Sequence, residues 1–341
     1  MAQTQIADLI TPDVYLNYMQ EDYPERNRLL RSGIVVPPPE NVQSQMNAGG
    51  TIINMPFWDD LGRGEPDIMS DNPAVSATPD KVSADKDQAV KHFWHKSWSS
   101  MDVAGMVASG RANDPVQQIL SRMATWWESA EQGALIASTK GVFADNLAND
   151  ADDMSYRIYS DVVSGSLTAA NRISGAAVRR ARVTMGDYMD EFAAIAVHSA
   201  VYVSMADNDE IDFIKPSDAT EIAMFQGMEV VVDDRMPVTT GVNSPAYTCY
   251  LYGRGAFAFT DGAGADLVAF ETDREPAVGN GGGQDTVHTR RHALLHPRGV
   301  KFTNAGVAAL SPSWSELEDA ANWDRVYNRK NIRMAQLVVN A

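Results

Sequence analysis

A chain of 341 residues with 44% hydrophobic content can bury a large core and has room for about two domains of ~150 residues each. Its 45 acidic residues against 28 Lys plus Arg leave a net charge of −17, which on average repels nucleic acid and anionic membranes and argues against a dedicated DNA-binding protein. The single cysteine, Cys249, excludes an internal disulfide and fits a reducing cytoplasm, and neither a leader nor an unbroken apolar run marks a secretion signal or a membrane span.

The first fifty residues read as an arm. Thr11-Pro12-Asp13 fits a helix start, Val14, Tyr15, Tyr18 and Met19 recur at helical spacing, and Gly33 is placed to stop a second short helix begun near Pro24. The run Pro37-Pro38-Pro39 that follows cannot donate ladder hydrogen bonds and favours an extended path across a surface. Residues 51–98 are the most informative stretch. Two strand-like ends, Thr51–Trp58 and Ala89–Trp98, enclose a polar, Pro- and Gly-rich middle that cannot pack a core. A connection this long inside a compact domain is usually disordered or functional. Its own domain offers nothing to order it, so another subunit is expected to, and the feature points to assembly.

Asn113-Asp114-Pro115 opens the clearest helix: Asp114 as cap, Pro115 as first residue, Gln117 three positions after the cap. Val116, Ile119, Leu120, Met123, Trp127, Ala130, Ala134 and Ala137 keep the helical period, and Gly141 fits the terminating position. From Pro115 to Lys140 the rod is roughly 39 Å long at ~1.5 Å per residue. Trp127 continues the stripe and is expected in the core, whereas Trp126 lies nearer its edge and suits a subunit contact. Leu167 to Met185 reads as a helix carrying Arg172, Arg179, Arg180 and Arg182. Phe192 to His198 reads as a buried strand, Ser199 to Met205 as helical, and Gly227–Asp234 and Ala246–Phe259 as strands. Helices and strands mix without regular alternation, so the fold class is α+β. Cys249, set among Tyr247, Tyr250 and Tyr252, reads as a packed thiol, and Gly279 to Gly283 as a loop tip.

Candidates for chemistry are weak. His288, His292 and His296 stand four apart, which on a helix stacks three imidazoles as a zinc-dependent enzyme would need, yet the run ends at Pro297 and equally fits an extended strand with structural histidines. The glycine-rich turns near Gly262 and Gly279 carry neither the Lys-Ser/Thr of a phosphate-binding loop nor a dinucleotide fingerprint. No cofactor is expected. Three basic patches stand against the acidic background: Arg179, Arg180 and Arg182; Arg290, Arg291, Arg298 and Lys301; Arg325, Arg329, Lys330 and Arg333. Pairing with the acidic excess is the favoured reading over contact with packaged nucleic acid.

In their order along the chain, these strings resemble the major capsid proteins of tailed bacteriophages with the Hong Kong 97-type fold. The likeness rests on Ile10–Tyr15, the hairpin entry Met55-Pro56-Phe57-Trp58-Asp59-Asp60-Leu61, the helix opened by Asp114-Pro115, Phe192 to Ser199, His296-Pro297-Arg298-Gly299-Val300 and Asn322–Ile332. The resemblance implies an N-terminal arm over residues 1–50, an extended loop (E-loop) over 51–98, and a peripheral domain over 99–191 with a spine helix at 115–140. It further implies an axial domain over 192–270, a return to the peripheral domain over 271–310 and a C-terminal axial part over 311–341. The implied function is a virion shell: hexamers and pentamers closing into an icosahedral capsid, assembled in the bacterial host cytoplasm around double-stranded DNA that is contacted non-specifically. Portal and scaffolding proteins, and a decoration protein in some shells, are the implied partners; no membrane is. Met1 stands ten residues before the expected arm helix, so no scaffolding region is expected ahead of it, and no Lys–Asn cross-linking site is assignable. A protein-filled nanocompartment of the encapsulin kind shares the fold and is the alternative content. The expected interface residues are the aromatics Phe57, Trp58, Trp94, Trp98 and Trp126, and the acidic Asp59, Asp60, Glu65 and Asp67 facing a neighbour's Arg179, Arg180 and Arg182.

Overall fold

The computed structural model describes residues 28–341 except 63, 70, 75, 108–114, 164–166, 209, 215–221 and 263–266. The expected arm helix near Thr11 and the Asp114 cap lie outside the described residues. Two large sheets and one long helix organise the rest. In the first sheet the order is Val35–Val36, Phe257–Asp261, Gln284–Pro297, Ala84–Met101 and Ile52–Trp58, with Phe270–Glu275 also pairing Gln284–Pro297. In the second it is Ser155–Arg157, Met334–Val339, Pro245–Gly253, Phe192–Val197, Met228–Val232, Ile222–Phe225 and Asp212–Ile214, with Val238–Thr240 pairing Pro245–Gly253. Strands and helices segregate without βαβ alternation, which is the expected α+β class.

The helix Pro115–Asn149 runs 35 residues, about 52 Å. It passes the expected stop at Gly141 by two turns. A Cβ at Gly141 would stand 2.0 Å from the Leu317 carbonyl oxygen and 2.4 Å from the Trp323 indole nitrogen, so this glycine serves close packing, not termination. The apolar stripe is also used unevenly. Val116, Ile119, Leu120 and Met123 are only half-buried, and the first buried residue is Trp127, 4% exposed, whereas Ala134, Leu135, Val142 and Phe143 are enclosed. The first three turns therefore carry an apolar face that their own subunit covers in part.

Other expectations change for local reasons. The segment expected to be one helix from Leu167 to Met185 becomes a 3-10 turn at Ala169–Asn171, an α-helix at Gly175–Arg182 and a 3-10 stretch at Val183–Glu191. Ser174 caps the α-helix by accepting from the Ala177 N–H, which sets its start, and Gly186 at φ 57° breaks the stretch that follows. Ala246 to Phe259 divides between the two sheets at Arg254-Gly255, where Gly255 takes φ 66°. Gly279 to Gly283 folds into a tight turn with Gly279, Asn280, Gly281 and Gly283 all at positive φ. Ser199–Asp207 is helical and follows the buried strand Phe192–Val197 after the single residue His198, which caps it.

The main core lies between the second half of the long helix and both sheets. It includes Leu135, Phe143, Tyr250, Tyr252, Phe257, Leu295, Phe302 and Trp323. A second core packs the other face of the second sheet against Gly175–Arg182 and Ser199–Asp207, with Val178, Ile195, Val201, Leu251 and Leu337. Cys249 sits there fully enclosed, and burial pushes its thiol up to about 12, so it is a packing residue. Polar ties join the long helix to the second sheet: Gln132 donates to the Asp233 carboxylate, and Arg235 pairs with Asp233 at 3.1 Å while donating to Ser129.

Candidate assembly surface

The strands Ile52–Trp58 and Ala84–Met101 pair antiparallel from Ile52 with Val90 to Trp58 with Ala84, then release the chain into an arm. Every described residue from 61 to 83 is exposed. Residues 59–83 carry six carboxylates against Arg63 and Lys81, so the arm is anionic as well as unpacked. Its apolar side chains stand in water: Leu61 is 66% exposed, Ile68 91% and Met69 98%. Of the expected acidic residues, Asp59 accepts from the Ser83 hydroxyl at 2.5 Å and so closes the arm's neck, while Asp60, Glu65 and Asp67 face solvent.

The base of the arm is fixed by a buried polar lock. Asp87 accepts from His296 Nε2 at 3.0 Å, from the Gly299 N–H at 3.1 Å and from the Gln88 N–H at 2.8 Å. Burial alone would raise the Asp87 pKa, but the His296 imidazole and then the two N–H donors hold it below the usual carboxylate value. Lys91 is enclosed on the same strand and donates to the carbonyls of Met46 at 3.1 Å and Ala48 at 2.5 Å, capping the helix Glu40–Met46; burial lowers its pKa. His92, also enclosed, stacks on Trp94 at 4.8 Å and is pushed down to about 4 by burial, against an opposing contact with the Leu295 backbone. The sequence offered little signal for this lock, because Asp87 and His296 meet across 209 residues.

The expected aromatic contacts are in large part met inside one subunit. Phe57 is half-buried with its edge on Tyr327, ring centroids 4.7 Å apart. Trp98, Trp126 and Trp127 form a continuous cluster, at 5.4 Å and 5.0 Å, between the sheet and the long helix. Trp127 is its buried member, donating to Thr289 at 3.2 Å beneath the Arg291 guanidinium. Trp58, in contrast, is 74% exposed at the arm's root.

Most of the basic patches are committed to the acidic excess. Arg290 pairs with Glu271, Arg291 with Glu131, Lys301 with Asp324, Arg325 with Asp150 and Asp153, and Arg333 with Glu191. Arg329 is buried and donates to the Ile332 carbonyl and the Thr184 hydroxyl, and burial lowers it to about 10. In the first patch Arg182 pairs with Asp190 at 3.0 Å and bonds the Met189 and Gln226 carbonyls, and Arg180 bonds the Tyr156 hydroxyl at 2.7 Å, while Arg179 is exposed.

His288, His292 and His296 lie on the strand Gln284–Pro297, not on a helix. Residues four apart on a strand are separated by ~13 Å, so the three imidazoles take separate neighbours: His95, the face of Phe93, and Asp87. Among the described residues no group of three or more His, Cys, Asp or Glu is placed to hold a metal ion, and no helix is long and apolar enough to cross a membrane.

An extended arm, a long helix beneath a sheet and a second sheet define a shell-forming subunit of the Hong Kong 97 type. Solved structures agree at the level of fold. The chain is similar to the capsid of Ralstonia phage GP4 (TM-score 0.57, 12% identity, 97% of this chain and 96% of that one) and to the capsid asymmetric unit of cyanophage Pam1 (TM-score 0.58, 12% identity, the same coverage). No protein-family profile matches the sequence. The sequence is 34% identical over 339 residues to the major capsid protein of Bacillus phage SPP1, covering 98% of each chain. The chain belongs to the major capsid proteins of tailed phages. It is a structural protein of the virion capsid that associates with copies of itself.

Proposed function

We propose that copies of this chain close through hexamers and pentamers into an icosahedral shell around double-stranded DNA, without a catalytic step, and that a neighbouring subunit holds the arm. Assembly takes place in the host cytoplasm with portal and scaffolding proteins, and the enclosed DNA is contacted non-specifically. Residues 51–98 act as the E-loop. The first sheet with the long helix forms the peripheral domain, and the second sheet, which the C-terminal strand Met334–Val339 joins, forms the axial one.

One observation carries the reading of the arm: the described residues between 61 and 83 are all exposed, Leu61, Ile68 and Met69 among them. Burying such side chains is worth about 1.5–3 kcal/mol each, and in this subunit that gain is unrealised. Copies of the same chain offer the surface that realises it. Charge pairs from Asp60, Glu65 and Asp67 set register, each worth about 0–1 kcal/mol when exposed, and a closed shell repeats them many times.

Among the described residues, replacing 61–83 with a short Gly-Ser turn removes no buried side chain. The subunit is expected to fold with unchanged circular dichroism, and electron microscopy is expected to show no closed shells. Shells of normal size and stability from this variant would defeat the reading. A variant that unfolds would place the arm in its own core.

A further inference from the structure

We propose that three prolyl bonds of the arm, Glu65–Pro66, Asn72–Pro73 and Thr78–Pro79, must all be trans before a subunit enters a shell, which makes the arm a substrate for a peptidyl-prolyl isomerase. This rests on the reading that the arm is ordered only in the assembly. It adds the step that limits how fast a free subunit gets there.

The three prolines lack support in their own subunit. Pro66, Pro73 and Pro79 and the residues before them, Glu65, Asn72 and Thr78, are all exposed, and the three bonds are trans. A proline inside packed structure has its isomer chosen by its neighbours. Pro297 shows this: it is buried at the end of the strand Gln284–Pro297, opposite Phe257, where the other isomer would turn the chain out of the sheet. No described residue of the arm is buried in that way. Strand pairing ends at Trp58 with Ala84, and the tie across Asn72–Pro73, from the Ala74 N–H to the Asn72 side chain at 3.0 Å, is local and exposed.

A mixed population follows. In an unsupported segment each prolyl bond is cis in roughly 5–30% of molecules and exchanges over tens to hundreds of seconds. Three independent bonds then leave between about a third and about six-sevenths of free subunits all-trans. A cis bond shortens the Cα–Cα step from about 3.8 Å to about 2.9 Å and bends the chain, so a cis arm follows a different path. An ordered contact accepts one isomer, and a cis arm has to wait for rotation. An exposed prolyl bond with free chain on both sides is also what an isomerase needs to grip. The rotation makes and breaks no covalent bond and requires no co-reactant.

The test is the time course of assembly. Folded subunits of the full chain are held until their isomers equilibrate, then mixed with their scaffolding partner where assembly needs it. Shell formation is followed by light scattering at about 10 °C, where uncatalysed exchange takes minutes. A fast phase and a slow phase are expected, the slow one with a rate independent of subunit concentration, and a catalytic amount of a cyclophilin-class isomerase is expected to merge the two. The variant Pro66→Ala/Pro73→Ala/Pro79→Ala removes no buried side chain and has almost no cis bonds, so it is expected to assemble in the fast phase alone. A single phase in the natural chain, a slow phase that the isomerase leaves unchanged, or one that keeps its full amplitude in the variant would overturn the inference. If the variant does not assemble, the response of the natural chain to the isomerase decides. Normal shells after removal of residues 61–83 would overturn the underlying reading of the arm. Loss of shells there, with single-phase assembly of the natural chain, would overturn the isomer step alone.

Discussion

Acid should weaken the folded subunit through His92 in a way that can be isolated. Its imidazole is fully enclosed against Trp94, and burial lowers its pKa from 6.5 to about 4. The folded-state pKa is depressed, so the unfolded chain binds a proton that the folded chain refuses. Stability is therefore intact above pH ~6.5 and falls as pH drops toward ~4. At ~1.36 kcal/mol per pKa unit, the loss between pH 8 and pH 4.5 is about 2.5 kcal/mol from this residue. His92→Phe keeps an aromatic ring against Trp94 and removes the titration. Guanidinium unfolding of the isolated subunit at pH 8, 6 and 4.5, for both chains, isolates the contribution by difference. The variant is expected to gain about 2.5 kcal/mol relative to the natural chain across that range, with half or more of the gain appearing below pH 6. A difference that stays constant with pH would refute the assignment of a buried, neutral imidazole at this position.

Three further expectations concern packing around the long helix and the arm's base. Trp127→Ala should cost about 3–5 kcal/mol through lost burial and a cavity, and Trp126→Ala distinctly less, measured by thermal melting of the subunit; equal, negligible losses would mean the helix face is misassigned. Gly141→Ala should destabilise, although the same change in an exposed helix interior stabilises by about 1 kcal/mol, because its Cβ meets the Leu317 carbonyl; a raised melting temperature would contradict that contact. Asp87→Ala should cost about 3–5 kcal/mol by leaving His296 and the Gly299 N–H without their acceptor, with lower soluble yield as the readout, and an unchanged yield and melting point would remove the lock.

The sequence showed elements whose signals are local and missed what distant residues decide. The arm was legible because a polar Pro- and Gly-rich stretch between two aromatic strands has no other use in a compact domain. The long helix was legible from Pro115 and the apolar period, but its end was misplaced: Gly141 has the residue type of a cap, and only the approach of Leu317 and Trp323 reveals its purpose. Arg179, Arg180 and Arg182 looked equivalent as a string. In the structure, Asp190 and Tyr156 engage two of them and leave Arg179 exposed. The three histidines at spacing four fitted helix and strand alike, and the pairing of Gln284–Pro297 with Ala84–Met101 decides for the strand.

The central claim is that this chain builds a shell in which each arm crosses to a neighbour. Electron cryomicroscopy of particles assembled from the full chain, with its scaffolding and portal partners where assembly needs them, tests it most directly. The expected map shows closed icosahedral particles, with density for residues 61–83 lying on an adjacent subunit. Monomers that fail to assemble at high concentration, or closed shells in which residues 61–83 fold back on their own subunit, would contradict it.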